Sequence, residues 1–132
     1  MAIPDEFHDF FEKRTFAHFA TLMPDGTPQV TPVWVDYDAD REEVLVNTAR
    51  GRRKERNASE DPKVGVSMVD PDDPYRFVSV RGRVVEFQEE GAVEHIDDLA
   101  RRYMDVEEYP GHDEEEGARV ILRISTDEVA TS

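Results

Sequence analysis

Residues 28–37 carry apolar side chains on both faces of what reads as a single β-strand. Alternate positions place Val33, Val35 and Tyr37 on one face and Val30 and Trp34 on the other. A strand covered on both sides lies in a barrel or is packed against something else. No other feature of the chain narrows the fold as much.

That strand is the second arm of a hairpin. Residues 15–23 are rich in aromatic and β-branched side chains and predict the first arm. Between them, Pro24-Asp25-Gly26-Thr27 makes a turn: proline fixes one φ and glycine accepts a positive one. Residues 44–48 predict a third strand, 63–69 a fourth, 75–88 a long fifth and 119–124 a sixth. Gly82, inside the fifth, marks a bulge or a close backbone approach. Three helical stretches decorate the strands. Phe7, Phe10 and Phe11 have helical spacing after Pro4-Asp5-Glu6. Residues 51–60 lack β-branched side chains and stop at Asp61-Pro62. Residues 90–104 carry Val93, Ile96, Leu99, Ala100 and Tyr103 at helical spacing. Residues 106–117 read as acidic and irregular. No repeat or linker divides the chain, so residues 1–132 are expected to form one domain. The expected fold is mainly β with helical decoration, a small barrel of six antiparallel strands.

Charge narrows the partners. Thirty-one acidic residues face sixteen basic ones, a net charge of -15. Nucleic acid is a poor partner for such a chain, because its phosphates would meet a strongly negative field. Only Lys13, Lys54 and Lys63 are lysines; the other cations are arginines. An acidic, lysine-poor surface fits a halophilic protein, since molar salt shortens screening to about 3 Å and removes most self-repulsion. No apolar run approaches the roughly 18 residues of a membrane span. The acidic N-terminus, with no hydrophobic stretch, does not read as a signal peptide. The chain has no cysteine, which excludes disulfides and thiolate chemistry. The expected compartment is the cytoplasm.

Against this acidic background, Arg50, Arg52, Arg53, Lys54 and Arg56 crowd together. They follow a predicted strand in the order Asn47-Thr48-Ala49-Arg50-Gly51-Arg52-Arg53-Lys54. Gly51 permits a sharp turn, and a helix then starts among the cations. Free N–H groups at a helix start favour an anion. Arginine adds a planar fork for phosphate oxygens, lysine a point charge, and the Thr48 hydroxyl a further donor. The same cluster also fits a helix whose cations pair with the abundant carboxylates. The remaining candidates are weaker. His8, His18, His95 and His112 are scattered, with no pair at metal-ligand spacing. Glu114-Glu115-Glu116 and Asp70-Asp72-Asp73 read as solvated charge runs. Ser67 and Ser79 lack a visible base or nucleophile elbow. Trp34 and Tyr75 read as packing residues, though either can stack on a ring. With no side-chain constellation for acid–base work, the expectation is no catalytic residue and no metal site. In an enzyme of this kind a cofactor supplies the chemistry.

The run Ala20-Thr21-Leu22-Met23-Pro24-Asp25-Gly26-Thr27-Pro28-Gln29-Val30-Thr31-Pro32-Val33-Trp34, followed by Asn47-Thr48-Ala49-Arg50-Gly51-Arg52-Arg53-Lys54, resembles the pyridoxamine 5'-phosphate oxidase-like flavin-binding superfamily. Within it, the chain looks most like the small coenzyme F420-dependent oxidoreductases of the flavin/deazaflavin B type. Asp61-Pro62-Lys63-Val64-Gly65-Val66-Ser67, Asp73-Pro74-Tyr75-Arg76-Phe77-Val78 and Arg81-Gly82-Arg83-Val84 extend the likeness over nearly the whole domain. The resemblance implies a split β-barrel homodimer with two cofactor sites at the subunit interface. It implies that Val30, Thr31, Pro32, Val33, Trp34 and Val35 lie along the flavin or deazaflavin ring. Asn47 and Thr48 would contact the phosphate region, and Arg53 with Lys54 would bind the phosphate. Asn57 falls where a polar cofactor contact is often found. Arg50, Arg52 and Arg56 are additional cations that suit the phosphate-and-glutamate tail of F420 better than the single phosphate of FMN.

The resemblance further implies hydride transfer between F420 and a small conjugated organic substrate. An FMN-binding oxidoreductase and a carrier that binds the cofactor without turnover remain open alternatives. No basic set matching the substrate-phosphate ligands of true pyridoxamine phosphate oxidases is found near the C-terminus, so vitamin B6 oxidation is not expected. The charge reading carries its own test: unfolding followed at low and at molar KCl should show clearly higher stability in the salt, and equal stability would overturn the halophilic assignment.

Overall fold

The computed structural model describes residues 1–114 and 117–132. It contains eight strands where the sequence predicts six: β1 (Ala17–Leu22), β2 (Pro28–Val33), β3 (Asp36–Asp38), β4 (Glu43–Ala49), β5 (Lys63–Asp70), β6 (Asp73–Gln88), β7 (Arg119–Ser125) and β8 (Glu128–Thr131). One extra strand arises because residues 28–37 do not run straight through. The chain breaks at Trp34 and Val35, where the backbone turns to side-chain partners. Val35 N–H donates to the Tyr103 hydroxyl at 3.2 Å, and its carbonyl accepts from Arg102 at 3.0 Å. The other, β8, is a short strand paired to the middle of β6, too brief to show a period in sequence.

Two α-helices, α1 (Arg53–Glu60) and α2 (Ala92–Met104), lie where the sequence places helices. The N-terminal helix is a 3-10 helix over Asp5–Phe11, and a second, shorter one covers His112–Glu114. No helix of the described residues is long and apolar enough to cross a membrane.

All pairings are antiparallel, in the order β2-β1-β5-β6-β7-β4-β3, with β8 added alongside β6. The sixteen-residue β6 belongs to both halves of the barrel. Its Asp73–Arg83 part pairs with β5, and its end from Val84 to Gln88 pairs with β7. At the junction Gly82 lies against Ser125: a Cβ there would stand 1.7 Å from the Ser125 carbonyl oxygen. Of the two readings of Gly82, close backbone approach is therefore the right one. The register irregularity falls two residues later, between Val84 and Glu86.

Strand alternation fills the interior. Phe19, Val44, Val46, Val66, Met68, Val78, Val80, Leu122 and Ile124 are all buried inside. Each such side chain stabilises the fold by about 1.5–3 kcal/mol relative to exposure. Ile3, Phe7, Phe10 and Phe11 close one end. Outside the barrel, Leu45 of β4 and Ile121 of β7 pack with Ala92 at the start of α2, so β4 is buried on both faces.

The N-terminal helix is latched by a charge network. Arg76 lies over the rings of Phe7 and Phe10 and bonds Asp9, Asp70 and the Glu6 carbonyl. Lys13 donates to Asp70 at 3.0 Å. The Asp72 N–H and the two cations outweigh burial and hold the Asp70 carboxyl down at about 2. A depressed folded-state value means stability that is present above the ordinary carboxylate value, about 3.9, and lost as pH falls through about 2. Asp70→Asn should cost about 1–3 kcal/mol at neutral pH, because the half-buried Lys13 and Arg76 lose the carboxylate charge and one of its two oxygens becomes a donor. Urea titrations from pH 7 down to 2 should show a shallower acid loss than the parent; an unchanged acid limb would exclude Asp70 as its source.

Candidate functional site

The barrel has an open seam. β3 pairs only with Glu43, Val44 and Leu45 of β4, so among the described residues this flank of β4 has no strand neighbour from Val46 onward. At the other end of the sheet β2 pairs, among the described residues, only with β1. A cavity of about 190 Å³ lies where the end of β2 meets the second half of β4. Pro32, Val33 and Trp34 come from β2 and the residue after it, Asn47 and Thr48 from β4. Arg52 and Lys54 come from the start of α1, Ile96 from α2, and Phe16, Tyr109 and Arg119 complete the wall.

Local chemistry explains the cationic end. Gly51 takes φ +93°, a value open to glycine at little cost, and turns the chain from β4 into α1. Glu55, the third residue of α1, reaches back past the N-cap Arg52 and accepts the Gly51 N–H at 2.7 Å. Burial pushes the Glu55 carboxyl up, but the Gly51 N–H, Ser59 and Arg50 together hold it below its ordinary value. An ionised carboxylate thus braces the turn from inside while Arg52 and Lys54 are presented to the cavity.

The aromatic end is as firmly set. Trp34 stacks on Tyr103 with centroids 5.1 Å apart and meets Tyr109 edge-on at 6.1 Å. The buried Tyr103 hydroxyl accepts from Val35 N–H and donates to the Thr15 carbonyl, and burial raises its pKa. Asn47 joins the two ends. Its oxygen accepts two bonds from Arg119, at 3.0 and 2.8 Å, and its nitrogen donates to the Ala92 carbonyl at 2.8 Å. Arg119 also lies over the Tyr109 ring, 5.1 Å from its centroid.

Seven of the fourteen residues expected to hold a cofactor line this cavity: Pro32, Val33, Trp34, Asn47, Thr48, Arg52 and Lys54. The other seven lie elsewhere. Val35 is fully buried in the hydrophobic core. Val30 is 56% exposed on the outer face of β2. The Thr31 hydroxyl is buried without a hydrogen-bond partner among the described residues. Arg50 turns away to Glu89 and Glu55, at 3.0 and 3.6 Å, over the Phe87 ring. Arg53 is exposed and donates to Asn57 at 3.4 Å. Arg56 is exposed on α1. Asn57 is buried and donates to Thr21 at 3.0 Å, tying α1 to β1.

Sequence reasoning passed over Phe16, Ile96, Tyr109, Arg119 and, behind the wall, His95. Arg119 reads only as the start of a strand, and Tyr109 sits in an acidic stretch without pattern. His95 had a signal: it lies three residues after Ala92 and four before Leu99, on the buried stripe of α2. Of the other singled-out residues, His18 and Ser67 are exposed on strands, and Tyr75 is 86% exposed. Asp70 is buried in the N-terminal latch and is not part of a solvated run. Glu115 and Glu116 lie outside the described residues.

The fold is thus an antiparallel barrel with an aromatic and cationic cavity at its seam. The sequence model of the pyridoxamine 5'-phosphate oxidase family matches residues 3–132, and the chain belongs to that family. A solved structure of an F420 reductase is 31% identical over 97% of this chain and 98% of its own, with a TM-score of 0.82. A conserved hypothetical protein from Mycobacterium tuberculosis is 26% identical over 99% of this chain and 84% of its own, at 0.75. HupZ of Group A Streptococcus, 20% identical over 98% and 93%, shares the fold at 0.67. None of the curated proteins compared matches the sequence.

Trp34 is the only tryptophan in the chain. A molecule entering the cavity should therefore change tryptophan emission in a saturable titration. A ligand that binds by calorimetry without altering the emission is bound elsewhere.

Proposed function

We propose that this protein is an F420-dependent oxidoreductase that moves a hydride between the deazaflavin and a small conjugated organic substrate. One observation carries the reading: a single cavity joins an aromatic and apolar wall to the cationic start of α1. The 31% identity to an F420 reductase supports it. The donor set fits an anionic ring cofactor. Arg52, Lys54 and the Thr48 hydroxyl would hold phosphate oxygens, which favour arginine, lysine and hydroxyl donors. Pro32, Val33 and Trp34 would lie along the ring and exclude water from it. When bound, the cofactor supplies the hydride chemistry; the chain anchors its tail and orients its ring.

The same reading includes a homodimer. About 190 Å³ is less than the roughly 300–1,000 Å³ of small-molecule sites. Val30 and Phe16, 56% and 54% exposed, leave an apolar surface on the β1–β2 side that a second copy would cover while enlarging the site.

FMN is the second reading, and the placement of Arg50 favours it. With Arg50 engaged by Glu55 and Glu89, fewer cations reach the cavity than a long anionic tail would use. Parallel titrations with F420 and FMN decide between them, and binding of neither would sink both. Lys54→Ala should weaken the preferred cofactor by about tenfold to a hundredfold, the value of one charge-assisted hydrogen bond. Arg50→Ala, by contrast, should leave affinity within about threefold, a change smaller than one hydrogen bond. Turnover of an enone panel with the reduced cofactor separates an enzyme from a carrier.

A further inference from the structure

Behind the cavity wall a chain of polar groups runs from β3 to β7 through His95. Its hydrogen positions follow from the partners. Asn47 Oδ1 faces the Arg119 guanidinium, which can only donate, and Asn47 Nδ2 faces the Ala92 carbonyl, which can only accept. The amide orientation is thereby set. The second Nδ2 hydrogen points at His95 Nδ1, 3.0 Å away, so that ring nitrogen must be an acceptor. The ring proton is then on Nε2, which donates to Asp36 Oδ2 at 3.0 Å. Burial pushes the Asp36 carboxyl up, but the His95 bond and the nearby Arg102 charge hold it below its ordinary value. Asp36 is therefore an ionised acceptor, kept in place by Arg102 at 3.2 Å.

We propose that His95 is a positioning residue of the cavity. In its neutral Nε2–H form it accepts the Asn47 amide and so keeps Asn47 and Arg119 aligned as one wall of the ligand site. The proposal rests on the cavity being that site. A second ring proton, on Nδ1, would face the Asn47 N–H donor. Asn47 cannot answer by turning over, because its oxygen would then meet the Ala92 carbonyl and its nitrogen the Arg119 guanidinium. Protonation of His95 thus detaches the wall. The charged groups that face the ring are Asp36 from β3, Arg102 of α2 through Asp36, and Arg119 of β7 through Asn47. The direction is diagnostic, because acidification of so acidic a protein would otherwise strengthen the binding of an anion.

The test has one arm that needs no ligand. Nitrogen-15 NMR of the free protein should show His95 as the Nε2–H tautomer at pH 8. On acidification the Asn47 side-chain amide should move with the His95 midpoint. An Nδ1–H tautomer, or an Asn47 amide indifferent to that midpoint, overturns the proposal whether or not any cofactor binds. The second arm measures F420 and FMN affinity across the same pH range by Trp34 emission. The parent should lose about tenfold affinity on acidification, the equivalent of one hydrogen bond. His95→Gln, which keeps a donor for Asp36 but not the acceptor for Asn47, should show that loss already at pH 8. His95→Asn places an oxygen near the former Nδ1 and cannot gain a proton; it should restore binding and abolish the pH dependence. A His95→Gln variant that keeps the parent's affinity and pH profile overturns the proposal. Binding of neither cofactor rejects the cofactor reading and leaves the NMR arm to decide this one.

Discussion

The contact on which the barrel depends is that between Gly82 and the carbonyl of Ser125. Here β6 leaves its pairing with β5 and takes up β7, and the two half-sheets come together with no room for a side chain. Any Cβ at this point would force the junction apart and displace β7. β7 carries Arg119 at its other end, and its pairing with β4 sets the position of Asn47 and Thr48. The geometry of the cavity is in this sense inherited from a backbone contact at the opposite end of β7.

A second dependence runs through β4, which is buried on both faces. One face completes the barrel interior with Val44 and Val46. The other offers Leu45 to the start of α2 and Asn47 to the polar chain through His95. Asn47 is half-buried, and its side-chain polar capacity is fully used: two bonds to Arg119, one to Ala92, one to His95. Satisfaction of that kind rigidifies a site, since no member can rotate without leaving another unpaired. The wall made by Asn47 and Arg119 thus owes its order to groups that never touch the cavity's interior.

The strands with strong alternation, the Pro24–Thr27 turn and both α-helices were legible in the sequence, because each rests on local spacing and turn chemistry. The split of residues 28–37 into β2 and β3 was not. It depends on Tyr103 and Arg102, more than sixty residues away, capturing the backbone of Val35. The site was legible to the same degree. Trp34, Asn47, Thr48, Arg52 and Lys54 lie on or beside strongly patterned elements. By charge alone Arg50 and Arg53 were indistinguishable from Arg52 and Lys54, and the resemblance paired Arg53 with Lys54; which cation faces the cavity follows from the turn at Gly51 and the bracing by Glu55. Arg119 and Tyr109 belong to the site only through tertiary packing, and no local pattern could reveal them.

β2 has a consequence for assembly. It is an edge strand, and edges invite further strands to extend the sheet. Its two prolines, Pro28 and Pro32, remove amide donors at positions that share one parity, so a continuous ladder cannot form along it. Anything that approaches this part of the molecule must meet the side-chain face of Val30 and Pro32 and cannot zip onto the backbone. The seam is therefore open to a flat ring or to another folded surface, and closed to the runaway strand addition that an unguarded barrel edge would permit.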